Sequence, residues 1–225
     1  GFVYAAHHED TAEVVAVKML SLGFADDENF RSRFSLEIET LKQLHHEGIV
    51  EIFGFGEQDG TLFYSMELVD GPSLFETLKS DGPVAWRDVV RMTIQICHAL
   101  KHAHDRGVIH RDLKPSNLIV SQSGSVKLVD FGIARLFGSA QLTADHAVVG
   151  TADYMSPEQA EGQRPTVRSD LYSLGAVMYA LLSGKPPFSS PSIAQVIHRL
   201  RHDPPPSLLN ANLDVPRDLN HIIDQ

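Results

Sequence analysis

The sequence has one cysteine, no long apolar run and fewer basic than acidic residues. Because Cys97 is the single cysteine, no intrachain disulfide can form, and we expect a chain from a reducing compartment. No stretch reaches the roughly 18 consecutive apolar residues of a membrane span, and the N-terminus lacks the pattern of a signal peptide. We therefore expect a soluble, cytoplasmic domain.

Positive charge is too scarce for a general binder of polyanions. The chain carries 19 Lys and Arg residues against 29 Asp and Glu residues, which gives a formal net charge of −10 at pH 7. Proteins that bind nucleic acids or anionic membranes need an excess of positive charge to neutralise phosphates. We expect no nucleic-acid partner, and any phosphate group must be bound locally.

The sequence does contain enough apolar residues for a core. With 225 residues, 43% of them hydrophobic, it can form one large domain or two small lobes around a cleft. The runs "FVYAAHH" and "EVVAVKML" predict a β-hairpin, and "GIVEIFGFGEQDGTLFYSMEL" predicts two more strands around the turn "EQDG". The first quarter of the chain is therefore predicted to form a sheet.

Helical periodicity marks the rest of the chain. The runs "WRDVVRMTIQICHALKHAH" and "RSDLYSLGAVMYALLSG" predict long helices, and one helix is predicted between the strands. The buried face of that inserted helix is predicted to consist of Phe30, Phe34, Ile38 and Leu41.

A boundary is expected near residues 69–71, where the strand pattern gives way to the helical one. It would separate a sheet-based lobe at 1–69 from a helical lobe at 70–225, and two unlike lobes joined by a short segment form a cleft.

Two polar clusters lie between apolar runs. The first, "IHRDLKPSNLIV", contains Asp112, Lys114 and Asn117, and the second, "KLVDFGIA", contains Asp130. Alone, the first cluster would fit an ordinary surface turn. The turn "SQSGS" between them predicts a hairpin that brings Asn117 and Asp130 toward the same space, where their oxygens suit Mg²⁺. Asp112 can accept a proton from a hydroxyl and Lys114 can neutralise charge, so the clusters are equipped for phosphoryl transfer.

These motifs occur with others in a fixed order. The order is Gly1 and Val3 in "GFV", Lys18 in "AVK", a helix with Glu37, then "HRDLKPSN", "DFG", "GTADYMSPE" and "SDLYSLG". Over essentially its whole length the chain resembles the eukaryotic-type protein kinase family, in its serine/threonine class, and is most similar to the bacterial members. The resemblance implies an α+β fold of two lobes, a small antiparallel sheet with one main helix and a larger, mostly helical lobe.

The resemblance implies how the nucleotide phosphates are bound. Lys18 would contact the α- and β-phosphates of ATP and would be held by a salt bridge to Glu37. Glu39 competes for that role, but the family pattern places a leucine four residues after the glutamate, here Leu41. Gly1 matches the third glycine of the family's glycine-rich loop, so we expect a strand and two glycines before this sequence. We expect its last residues, "DLNHIIDQ", to lie in a helix that leads toward a late arginine, the usual partner of Glu158.

The resemblance also implies the catalytic and metal-binding residues. Asp112 would orient the acceptor hydroxyl and take its proton, with Lys114 beside it, while Asn117 and Asp130 would hold Mg²⁺. His110 is expected to be structural. His98 and His102 stand at a spacing that can bind a metal, but no third ligand completes such a site.

An adenine pocket is implied between the lobes. The backbone of two residues would hydrogen-bond the purine edge, one residue would lie at the back, and three apolar side chains would enclose the ring. These are, in that order, Glu67 and Val69, then Met66, then Val3, Ala16 and Ile119.

Regulation is implied between "DFG" and "SPE". Arg111 precedes Asp112, and in the family an arginine there pairs with a phosphorylated residue of the activation loop. We predict that Thr143, eight positions before Thr151, is that residue, with Ser139 as a weaker candidate. Thr151 is expected to bond near the catalytic aspartate instead. A second threonine common in relatives is replaced by Asp145.

The implied function is transfer of the γ-phosphoryl group of Mg·ATP to serine or threonine hydroxyls of protein substrates. Activation-loop autophosphorylation would regulate it, with a dimer as the species that reacts in trans. A pseudokinase or nucleotide-sensing scaffold is the alternative, and it predicts loss of Lys18, Asp112 or Asp130, all of which are present. Bacterial relatives often continue into a membrane span. A segment outside this sequence is therefore a candidate to anchor the parent protein in a membrane.

Overall fold

The computed structural model describes residues 2–8, 13–20, 28–132, 152–211 and 214–225, which form an α+β fold. The described strands are β1 (Phe2–His7), β2 (Val14–Met19), β3 (Ile52–Gln58), β4 (Thr61–Glu67), β5 (Leu118–Val120) and β6 (Val126–Leu128). The described α-helices are α1 (Glu28–Leu41), α2 (Leu74–Asp81), α3 (Trp86–His104), α4 (Pro157–Ala160), α5 (Val167–Ser183), α6 (Ile193–His202) and α7 (Arg217–Asp224).

The first four strands form one antiparallel sheet with the order β1-β2-β4-β3. The two predicted hairpins are present, and the pairing of β2 with β4 joins them side by side. Between β3 and β4, Asp59 and Gly60 have φ of 50° and 71°. A two-residue turn with positive φ at both positions matches the twist of the strands that it connects.

Helix α1 packs its apolar face against this sheet. The four residues predicted for that face, Phe30, Phe34, Ile38 and Leu41, are all buried. Phe34 meets Phe55 of β3 edge-on, with ring centroids 5.8 Å apart, an arrangement that the charge distribution of aromatic rings favours. Glu37 lies on this helix between the buried Phe34 and Ile38, so the packing of α1 sets the position of its carboxylate.

Helix α5 is buried along most of its length and lies at the centre of the helical part, with α3 packed against it. It begins after Thr166, whose hydroxyl and amide take part in a capping box with Ser169. It ends at Gly184, which adopts φ 85° and can do so without steric cost. Among the described residues, no helix is long and apolar enough to cross a membrane.

Residues 68–73, the connecting segment, lead from the sheet to the helices along β5. The Val120 amide donates to the Pro72 carbonyl at 2.9 Å, and Ser73 forms a bridge with Ile119. Ser73 then caps α2 in a capping box with Glu76. The letters "SLFE" are a sequence signature of this cap, and they indicate α2 where hydrophobic periodicity alone does not.

Candidate active site

The register of the sheet places the predicted pocket residues on one face. Val3 is the direct cross-strand partner of Lys18, and Lys18 is the partner of Tyr64 on its other side. Ala16 is paired with Met66 in the same way. Because side chains alternate along a strand and opposed residues share a face, these five side chains lie on the same side of the sheet.

The β5–β6 hairpin brings the two polar clusters together. Leu118 pairs with Leu128, and the Val129 amide donates to the Asn117 carbonyl at 3.0 Å. Asn117 ends a short 3-10 turn directly before β5, and Asp130 comes two residues after β6. The predicted hairpin therefore places Asn117 and Asp130 beside each other.

Asp112 is held by two nearby donors. The Lys114 ammonium lies 2.9 Å from Oδ2 of Asp112. The side-chain amide of Asn117 donates to the Asp112 carbonyl at 2.9 Å and to Oδ2 at 3.2 Å. An ionised carboxylate accepts hydrogen bonds only, so in this position Asp112 can orient a hydroxyl and receive its proton.

Asp130 is bound from the sheet side by both of its carboxylate oxygens. Lys18 lies 2.6 Å from Oδ2, and the Tyr64 hydroxyl donates to Oδ1 at 2.8 Å. Burial acts to raise the pKa of Asp130, but Lys18 and the Tyr64 hydroxyl outweigh it and bring the pKa below its ordinary value. Asp130 is therefore kept ionised, at a backbone φ of 59°.

The predicted salt bridge between Lys18 and Glu37 is not formed in this conformation. Glu37 instead accepts from Arg111 Nη1 at 2.7 Å, while Lys18 pairs with Asp130. The physical reason is that β2 carries Lys18 over the β5–β6 hairpin and α1 carries Glu37 over the segment that precedes Asp112. A guanidinium also matches a carboxylate better than an ammonium does, so the Glu37–Arg111 pair is a favourable alternative.

A buried aspartate of α5 holds the backbone that precedes Asp112. Asp170 is 1% exposed and accepts from the amides of His110 and Arg111, at 2.8 and 2.9 Å. Its Oδ2 also lies 2.8 Å from Nε2 of His104. Arg111 has φ 67°, a conformation that costs energy for a residue with a side chain. These bonds therefore hold a strained residue next to Asp112.

His110 has the structural role expected of it. The side chain is fully buried, its Nε2 lies 3.1 Å from the Val129 carbonyl, and its ring centroid is 4.6 Å from that of Phe131. Burial lowers the pKa of His110, which favours the neutral ring. It therefore packs the two clusters against each other without carrying charge.

Asn117 and Asp130 fit a metal ion that binds together with a phosphate. Mg²⁺ takes one or two carboxylates and completes its coordination with phosphate oxygens and water. Within the described ranges, no three or more His, Cys, Asp or Glu side chains lie together as a possible metal site. This holds also around His98 and His102. Because the Asn117 amide nitrogen bonds Asp112, the oxygen of that side chain is the atom that could bind a metal.

Comparison with known proteins decides the family. The model of the protein kinase domain matches residues 1–220. The chain belongs to the protein kinase family. It is 43% identical to a probable serine/threonine-protein kinase PknB of Corynebacterium glutamicum over 94% of this chain and 34% of that protein. It is 36% identical to the serine/threonine-protein kinase PrkC of Bacillus subtilis over 98% of this chain and 34% of that protein.

The kinase domain thus spans about a third of the length of these relatives. A third relative, the serine/threonine-protein kinase PknB of Mycolicibacterium smegmatis, is 42% identical over 93% of this chain and 34% of its own length. All three relatives are bacterial, as the resemblance in the sequence implies.

The residues predicted to line an adenine pocket differ in burial. Ala16 and Met66 are buried, and Val69 and Ile119 are partly buried against the core. Val3 is 53% exposed.

Glu67 is fixed at both its backbone and its side chain. Its amide donates to the Glu51 carbonyl at 2.8 Å. Of the Glu67 backbone, the carbonyl is therefore the group available for the predicted adenine contact. Its carboxylate lies 2.6 Å from the ammonium of Lys127, which stands opposite Ile119 in the β5–β6 hairpin. This ion pair ties the end of β4 to the β5–β6 hairpin.

Sequence reasoning did not identify three residues of the site, Tyr64, Lys127 and Asp170. Asp170 stands in the quoted motif "SDLYSLG", which was the available signal, whereas Tyr64 and Lys127 read as ordinary strand residues. Gly1, Thr143 and Thr151 lie outside the described residues.

Proposed function

We propose that this chain is a serine/threonine protein kinase domain that transfers the γ-phosphoryl group of ATP, with Mg²⁺, to protein hydroxyls. The observation that carries the proposal is the carboxylate of Asp112, oriented by Lys114 and Asn117 at 2.9 and 3.2 Å, beside Asp130 on the same hairpin. This set supplies a proton acceptor, a cation and two metal ligands in one place, as phosphoryl transfer requires.

Each residue has a defined part in the proposed transfer. Asn117 and Asp130 would hold Mg²⁺, which neutralises charge on the phosphates when it is bound. Lys18 would turn from Asp130 to the α- and β-phosphates. Asp112 would orient the acceptor hydroxyl, whose oxygen bonds to the γ-phosphorus as the bond from that phosphorus to ADP breaks. The hydroxyl proton would pass to Asp112, and Lys114 would offset the charge that develops nearby.

Serine and threonine are the proposed acceptors. The motif "HRDLKPSN", with Lys114 two residues after Asp112, is that of the serine/threonine class, and three relatives are named as serine/threonine-protein kinases. The protein substrates would dock against the region around residues 152–160, which follows the activation loop.

Regulation is proposed to act through Arg111. Its guanidinium pairs with Glu37 at 2.7 Å in the described conformation. Phosphorylation of Thr143 would offer Arg111 a stronger anionic partner and would release Glu37 to pair with Lys18. A dimer of chains would allow one chain to phosphorylate the other.

Substitution of Thr143 tests this regulatory step. We expect Thr143→Ala to lower the transfer rate and to leave the activation loop as sensitive to protease as in the unphosphorylated chain. Ser139→Ala is the matched control in the same loop and is expected to change neither property. Unchanged activity and protease sensitivity in Thr143→Ala would remove Thr143 from the account.

Transfer of labelled γ-phosphate to a generic protein substrate tests the function itself. Mass spectrometry of the product identifies the acceptor residues, and Lys18→Met is the variant in which transfer should be lost. We expect label on serine and threonine only. Nucleotide binding without any transfer would instead support the scaffold, and label on tyrosine would contradict the proposed class.

A further inference from the structure

Tyr64 makes a contact that the catalytic scheme above does not use. Its side chain is 2% exposed, in the middle of β4, and its hydroxyl donates to Oδ1 of Asp130 at 2.8 Å. The other carboxylate oxygen, Oδ2, lies 2.6 Å from Lys18, which stands directly opposite Tyr64 in the sheet. The two sheet residues therefore bind different oxygens of the same carboxylate.

The two donors differ in what they can do next. Lys18 is charged, and its proposed role requires it to leave Asp130 for the nucleotide phosphates. The Tyr64 hydroxyl is neutral, is buried in the core, and stands on a rigid phenol ring with few rotatable bonds. It can keep its hydrogen bond to Oδ1 while Lys18 moves away from Oδ2.

We infer that Tyr64 is a positioning residue for the metal-binding carboxylate: it fixes Oδ1 of Asp130 so that Oδ2 is left for Mg²⁺. This inference rests on the proposed function. Groups that hydrogen-bond a metal ligand orient that ligand, and their loss typically weakens metal binding by about 10- to 100-fold. A merely structural role, in which the hydroxyl only needs some acceptor in the core, would affect stability and not the response to metal.

Binding of a non-hydrolysable ATP analogue distinguishes these roles without measuring catalysis. The affinity is measured with EDTA and over a series of Mg²⁺ concentrations, for the unsubstituted chain and for Tyr64→Phe. We expect the affinity in EDTA to stay within about twofold. The Mg²⁺ concentration that gives half of the affinity gain should rise by about tenfold or more in the variant.

A second tyrosine provides the matched control. Tyr179 on α5 is 6% exposed and lies in the helical part, so Tyr179→Phe also removes the hydroxyl of a buried tyrosine. It should leave the Mg²⁺ response unchanged. A variant that does not unfold cooperatively is not properly folded. If Tyr64→Phe behaves in this way, Tyr64→Met takes its place in the binding experiment, because methionine also lacks the hydroxyl and adapts its shape to a core.

The Asp130→Asn background provides a further check. There the Mg²⁺ response should be weak, and adding Tyr64→Phe should change it no further, because both substitutions act on one ligand.

Each outcome has one meaning. A raised Mg²⁺ requirement in Tyr64→Phe, but not in Tyr179→Phe, supports the inference. An unchanged or lowered requirement overturns it while leaving the proposed function intact. If the unsubstituted chain binds the analogue neither with nor without Mg²⁺, the proposed function fails, and the inference fails with it.

Discussion

The Asp153 carboxylate lies in the motif "GTADYMSPE". Its Oδ1 is buried and has no hydrogen-bond partner among the described residues. Burial raises the pKa of Asp153 to about 6, from an ordinary value of 3.8. Near neutral pH the side chain is therefore ionised, although its buried surroundings favour the protonated form.

The substitution Asp153→Asn should stabilise the kinase domain near neutral pH. Between the two pKa values the folded state keeps a proton that the unfolded state releases, so stability falls as pH rises through that window. Above about pH 6 the full cost of the buried charge is present, and asparagine removes it at nearly constant volume. Urea unfolding should show a higher free energy of unfolding for the variant at about pH 7.5 and little difference at about pH 4. An equal difference at both pH values would contradict the pKa assignment.

At the residue scale, the sequence predicts which side chains of one short motif lie close together. It does not predict which side chains pair when they are far apart in the sequence. Asp112, Lys114 and Asn117 stand in one short motif, so their proximity follows from the chain itself. The partner of Glu37 depends on how α1 lies against residues far away in the sequence, and Arg111 is 74 positions from Glu37. No local pattern in the sequence encodes that approach.

Among the elements, α5 acts on the backbone that precedes Asp112 through one buried side chain. Asp170 in its first turn links α5 to His104 of α3 and to the backbone of His110 and Arg111. Three separate parts of the chain therefore meet on one buried carboxylate.

We expect Asp170→Ala to destabilise the kinase domain and to abolish transfer. Removing one member of a buried charged network costs about 3 to 5 kcal/mol, and here it also frees the strained backbone of Arg111. Asp218→Ala is the matched control, because Asp218 is an exposed acidic residue in the first turn of α7. Urea unfolding of both variants checks this, and equal stabilities would show that the Asp170 network contributes little.

Elements with strong periodicity could be predicted from the sequence, whereas short ones depend on signals from their turns and caps. The hairpin β1–β2 and helix α1 follow from alternation and from a clear apolar face. Helix α2, with eight residues, has a single buried residue, Leu74. Its signal is the cap formed by Ser73 and Glu76, not its periodicity.

At the scale of the whole molecule, one contact between the sheet side and the helical part is the close approach of Gly71, in the connecting segment, to the backbone of β5. A Cβ atom on Gly71 would lie 1.9 Å from the Val120 carbonyl oxygen, far inside van der Waals contact. The segment can follow β5 only because this residue has no side chain.

The substitution Gly71→Ala should therefore separate the connecting segment from β5. We expect a loss of more than about 2 kcal/mol in the free energy of unfolding, with weaker nucleotide binding. Gly124→Ala is the control, because Gly124 also has a positive φ, 80°, but open space around it. It should cost about 1 kcal/mol and leave nucleotide binding unchanged. Equal effects of the two substitutions would mean that the close approach is unimportant.

The central claim is that Asp112 acts in phosphoryl transfer and not in nucleotide binding. The most direct test is to compare kcat for transfer and Kd for the nucleotide between the unsubstituted kinase domain and Asp112→Asn. The account predicts that kcat falls by about 100-fold or more, as expected on losing a general base, while Kd changes by less than about twofold. An unchanged kcat, or a loss of nucleotide binding that explains the whole effect, would contradict it.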